Sequence, residues 1–164
     1  MDRLNRTLVA VLLAFGCATA VPVFAQNADD ARNIETSQNF GAYTVHYNVF
    51  PSTDLQPQIA ADYGLVRAAD QMVVNVSVRN RADGEDRPQA VTLTGTSSDL
   101  IQKRALDFRE IREQGAIYYI AQVRVSNRET LRFDVKAEPQ FDGSPAPVGS
   151  PFVISFTRQF YINK

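Results

Sequence analysis

The sequence predicts an all-β fold, an antiparallel sandwich of about seven short strands with one short helical turn. Three observations point there. Apolar and polar residues alternate with a period of two in seven separate runs, as half-buried strands require. Polar turns divide those runs, and no long run of helical period lies between them, which favours a sandwich over an α/β architecture. The third is the segment 105–135, ALDFREIREQGAIYYIAQVRVSNRETLRFDV, in which turns at Glu113-Gln114-Gly115 and Ser126-Asn127-Arg128-Glu129 join three alternating runs. It reads as a β-meander.

The chain begins with a targeting pattern. Arg3 and Arg6 precede an apolar run from Leu8 to Ala20, and Val23-Phe24-Ala25 offers a small-x-small cleavage site before Gln26. Residues 1–25 therefore read as a signal peptide, followed by a flexible leader over 26–38 and a single β-sandwich domain over 39–164. The apolar run is short for a membrane span, and Pro22 breaks its end. Lipid anchoring through Cys17 is the alternative, but Ala14-Phe15-Gly16 before it departs from a lipoprotein pattern.

Cleavage removes Arg3, Arg6 and Asp2 and leaves 15 basic and 17 acidic side chains, a formal charge of −2. No basic stripe is present to displace phosphate counterions, so nucleic acid is excluded as a partner, as is membrane insertion after cleavage. Cys17 is the sole cysteine. The mature domain must hold its fold through its core rather than through disulfides.

Taken in order, Tyr43, Val45, Tyr47 and Val49 alternate with Thr44, His46 and Asn48 to give the first strand. Asp54 to Leu65 is the helical piece: Pro57 suits a first helical position, Ile59 and Tyr63 share one face, and Gly64 supplies a left-handed stop. It is expected to cross between sheets. Met72, Val74, Val76 and Val78 form the second strand, and Ala82-Asp83-Gly84-Glu85-Asp86 reverses the chain. Val91, Leu93 and Gly95 mark the third. Leu106 and Phe108 are out of phase with Ile111, which predicts a bulge near Arg109 and Glu110. The loop from Gln140 to Pro151 leads to the last strand, Phe152, Ile154, Phe156 and Phe160.

Several short stretches carry a resemblance. Asn39-Phe40-Gly41 before Tyr43-Thr44-Val45-His46-Tyr47, Leu55-Gln56-Pro57 before Tyr63-Gly64-Leu65, Asn75-Val76-Ser77-Val78, Phe108-Arg109-Glu110, Ala116-Ile117-Tyr118-Tyr119, Glu129-Thr130-Leu131-Arg132-Phe133 and Phe160-Tyr161 together resemble domain-of-unknown-function family 4426 (DUF4426). The resemblance spans nearly all of Gln38 to Tyr161. It implies an immunoglobulin-like β fold and a periplasmic address, and it implies no activity.

Candidate chemistry is sparse. His46 is the only histidine and lies on the polar phase of its strand; a zinc site would need carboxylates for its remaining ligands, an uncommon set. No Gly-x-Ser-x-Gly elbow is present. The Asp83/Glu85/Asp86 run reads as a hairpin turn rather than a calcium loop. Asn75-Val76-Ser77 matches a glycosylation triplet inside a strand. No catalytic residue, metal ligand or cofactor is assigned.

Tyr118 and Ile120 stand out, because they make their strand apolar on both faces where an antiparallel sheet usually keeps one wet. Something must cover them: the helical turn with Ile59 and Tyr63, the Gln140–Pro151 loop, or a partner. Gln122 and Arg124 continue the face as a polar rim, so Tyr118, Ile120, Gln122 and Arg124 form the candidate binding site. The expected function is a non-enzymatic periplasmic binding module for a protein, a peptide or a small apolar ligand, acting through this face or through a free sheet edge. The alternatives are an enzyme of unusual carboxylate type using Asp107, Glu110 and Asp134, and a purely structural accessory domain.

Overall fold

Eleven strands, all paired antiparallel, form two sheets in the computed structural model, which describes residues 34–141, 144–145 and 151–162. The signal peptide and Cys17 lie outside the described residues. In chain order the elements are β1 (Ser37–Phe40), β2 (Tyr43–Pro51), a 3-10 turn (Ser52–Asp54), α1 (Pro57–Asp62), β3 (Gln71–Asn80), β4 (Arg87–Pro88), β5 (Val91–Ser98), β6 (Lys103–Ala105), β7 (Arg109–Glu113), β8 (Ala116–Arg124), β9 (Thr130–Phe141), β10 (Ser144–Pro145) and β11 (Phe152–Gln159). The first sheet runs β1-β2-β3-β8-β7, with β4 beside β3; the second runs β10-β9-β5-β6, with β11 also on β9.

The period-two runs become the facing layers. Val45, Tyr47, Val74, Val76, Val78, Tyr119 and Ala121 of the first sheet are buried with Val91, Leu131, Phe133, Val135, Ile154 and Phe156 of the second. One ring pair knits the layers, Tyr47 stacking on Phe156 at 4.6 Å, and Phe156 in turn stacks at 5.0 Å on Phe133, its partner on the neighbouring strand of the second sheet. Such pairs add stability beyond the area they bury.

A second tie is polar. The Tyr119 hydroxyl on β8 accepts a hydrogen bond from the backbone N–H of Val91, at the start of β5, at 2.8 Å, and donates to Glu110 Oε2 at 2.9 Å. Burial, with the Glu110 carboxylate at its hydroxyl, pushes the Tyr119 phenol up to about 12.

Four sequence expectations need correction. Segment 105–135 is not a meander: β7 and β8 form a hairpin through Gln114 and Gly115, both at positive φ as its two-residue turn demands, but β9 pairs with β5 and β11 in the other sheet. Alternation says that a run is a strand and not which strand it pairs with. The bulge is absent as well, since Arg109 to Glu113 pair continuously with Ile120 to Ala116. The phase slip marks a change of sheet, because β6 pairs with β5 and β7 with β8.

The helical piece does not cross between sheets. It joins β2 to β3, neighbours in one sheet. Finally, the sheet begins inside the stretch read as leader, with Ser37 and Gln38 opposite His46 and Val45.

The acidic turn stays a turn. Arg79 holds Asp86 at 2.9 Å, and Arg87 holds Asp83 at 2.8 Å while also meeting Glu85.

Candidate functional site

Alternation along β2, β3 and β8 sends half of their side chains to the outer face of the first sheet, away from the core. Register sets them in rows: Asn48 opposite Asn75 opposite Ile120, and Phe50 opposite Val73 opposite Gln122. An outer face would ordinarily be solvated. Here Val73 is fully buried and Ile120 is 6% exposed, because the chain between β2 and β3 folds back over them.

Side chains close that loop at several points. The Ser52 hydroxyl donates to the Ala68 carbonyl at 3.1 Å and accepts from its N–H at 3.0 Å. Arg67 donates to the Thr53 carbonyl at 2.9 Å. The Gln122 amide grips Val66 by its backbone N–H and carbonyl, at 2.9 and 2.8 Å. Arg109 of β7 donates to the Tyr63 carbonyl at 2.9 Å and so caps the end of α1. Gly64 follows at φ 63°, and a side chain there would begin 2.8 Å from that guanidinium. The positive φ favours glycine, and a side chain there would displace the Arg109 head from its cap.

Loop and sheet do not close fully on each other. A cleft of about 180 Å³ remains, with Val73, Asn75 and Ile120 from the central strands, Phe50, Ile111 and Tyr118 beside them, and Leu55, Tyr63 and Leu65 from the loop. The Glu113 carboxylate beside the Tyr63 hydroxyl holds its pKa above the ordinary value. Asn75 is the single amide in an otherwise hydrocarbon and aromatic lining, and its Oδ1 is buried without a hydrogen-bond partner among the described residues. A second, polar recess of about 250 Å³ adjoins it, lined by Thr36, His46, Tyr47, Asn48, Ser77 and again Asn75.

The four candidate residues divide. Ile120 lies in the cleft, and Tyr118 borders it with 39% of its surface exposed. Gln122 instead locks the loop, and Arg124 lies outside, paired with Asp70 at 3.1 Å. The cover is the β2–β3 loop, yet Ile59 is turned outward and Ala60 is the residue of α1 that is buried. Sequence reasoning missed Phe50, Val73 and Asn75. A signal for Val73 existed, since Met72-Val73-Val74 places an apolar residue in the polar phase, as Tyr118 and Ile120 do.

The carboxylates named for an enzymatic alternative do not converge. Glu110 sits on β7 of the first sheet, where hydrogen bonds from Arg112 and then Tyr119 hold its pKa down. Asp134 sits on β9 of the second, held down by Ser155 and then Arg132. Among the described residues no three His, Cys, Asp or Glu side chains come together as a metal site would need.

The sequence matches the family model "Domain of unknown function (DUF4426)" over residues 37–163. The chain belongs to the DUF4426 family. A crystal structure of a DUF4426 protein from Pseudomonas aeruginosa is 38% identical, with a TM-score of 0.65 over 78% of this chain and 95% of that one. Two structures of FetP from uropathogenic Escherichia coli share the fold alone. One, isolated from periplasmic expression, is 13% identical with a TM-score of 0.50 over 78% of this chain and 94% of that one. The other, a copper-bound variant, is 14% identical with a TM-score of 0.54 over 77% and 95%. No curated protein matches. Of the stretches that carry the DUF4426 resemblance, Leu55-Gln56-Pro57, Tyr63-Gly64-Leu65 and Ala116-Ile117-Tyr118-Tyr119 each contribute to the cleft.

Proposed function

We propose that this DUF4426 protein is a non-enzymatic periplasmic binding module whose cleft between the β2–β3 loop and the outer sheet face holds a small, largely apolar ligand. One observation carries the reading: an apolar concavity on a sheet face that an antiparallel sandwich would ordinarily leave to water. Its volume of about 180 Å³ is near the roughly 150 Å³ of an engineered cavity that takes up benzene. A single ring or a short branched chain fits that size.

The separation of Glu110 from Asp134, and their lowered pKa values, favour binding over carboxylate catalysis. Export is supported by the N-terminal pattern ending at Ala25. Copper does not come with the fold: the one histidine, His46, shares its recess with Thr36, Asn48, Asn75 and Ser77 rather than with further strong ligands.

The test is thermal unfolding of the mature chain with single-ring neutral compounds. A ligand at about ten times its Kd adds roughly 1.4 kcal/mol of stability. The midpoint should rise in the parent protein and stay put in Tyr118→Ala, which removes one side of the cleft. Equal shifts in both proteins would contradict the proposal.

A further inference from the structure

Asn75 is common to the two adjoining recesses, and its Oδ1 is buried with no donor within reach among the described residues. An unpaired buried carbonyl oxygen is costly to keep, and a partner from outside the chain would remove that cost. Directly opposite on β2, Asn48 spends its own Oδ1 on the N–H of Val49 at 2.8 Å. Its amide nitrogen therefore remains as a donor. Facing side chains on paired strands begin roughly 5 Å apart, so one small group can address both amides.

We infer that the ligand is a neutral carboxamide carrying one ring or a short branched apolar group, with the apolar part on Val73 and Ile120 and the amide bridging Asn75 and Asn48. This rests on the binding reading above. The chemistry follows from complementarity: the amide N–H donates to Asn75 Oδ1, and its carbonyl accepts from Asn48 Nδ2. Among the described residues no Lys, Arg, Asp or Glu side chain lines either recess, and His46 lines only the polar one. A charged head would find no carboxylate, ammonium or guanidinium partner there.

Methyl NMR titration of the mature protein with benzamide, N,N-dimethylbenzamide, benzoate and toluene tests it. Benzamide should bind about three- to tenfold tighter than each of the others, the span of one or two neutral hydrogen bonds. Asn75→Val should bind toluene at least as well as the parent and lose the preference for benzamide. Equal affinities, with shifts at Val73 and Ile120 methyls, would overturn the carboxamide assignment and leave the binding reading standing. Benzoate ahead of benzamide would overturn the neutral head. No shift at these methyls with any compound would overturn both. Should Asn75→Val fail to fold, the ranking of benzamide against its dimethyl derivative in the parent decides.

Discussion

Gln122 on β8 holds Val66 of the β2–β3 loop as a neighbouring strand would, its side-chain amide exchanging two hydrogen bonds with the backbone of Val66 at 2.9 and 2.8 Å. The loop is thus joined to the sheet 56 residues away by an amide that lies in neither recess lining. Gln122→Ala should cost about 1–2 kcal/mol, the sum of two partly exposed hydrogen bonds. Amide exchange should speed up in residues 56–66 while β3 and β8 stay protected. Uniform loss of protection would mean the loop and the sheet open as one unit.

Tyr118 and Ile120 are two residues apart on one strand face and should respond differently to truncation. Ile120 is buried beneath the loop, so Ile120→Ala should cost about 2–5 kcal/mol. Tyr118 is 39% exposed, and Tyr118→Ala should cost only about 1–2 kcal/mol. Chemical denaturation measures both, and equal costs would show that the cleft is closed in solution.

The Tyr119–Glu110 pair predicts pH dependence at both extremes. The folded pKa of Glu110 lies below its ordinary 4.5, so its contribution is present above that value and lost as pH falls through the folded pKa. Tyr119 is raised from 10.0 to about 12, so its contribution is full below pH 10 and lost as pH rises from there toward 12. Tyr119→Phe leaves the Val91 N–H and Glu110 without this partner, which should cost about 1–3 kcal/mol. The same change should flatten the alkaline limb, and an unchanged limb would assign the titration elsewhere.

Export makes its own prediction: mature protein should begin at Gln26. N-terminal sequencing decides, and a lipid-bearing chain starting at Cys17 would contradict it.

The strands were legible because their sequence period is local. Runs around Val45, Val76, Tyr119, Phe133 and Ile154 each announce a buried face. Pairing was not legible, because β8 and β9 follow one another across a short turn yet belong to different sheets. The choice is made by what Phe133 and Tyr119 pack against, and adjacency in sequence does not carry it. At the site, Tyr118 and Ile120 could be read because they break alternation. Gln122 could be placed on that face but its grip on Val66 could not be read, nor could the place of Asn75 in the cleft, since a polar residue in the polar phase looks the same whether it faces water, clamps a loop or lies in a cleft. Ile59 misled for a related reason: the six-residue α1 is too short for its apolar spacing to fix which side turns inward, and the residue it buries is Ala60.

The most direct test of the cleft is a crystal of the mature chain held under xenon, which enters apolar cavities of this size. A xenon atom in contact with Val73, Ile120, Leu55 and Leu65 is the result this account predicts. Xenon found only between the two sheets, with the space under the β2–β3 loop filled by side chains, would contradict it.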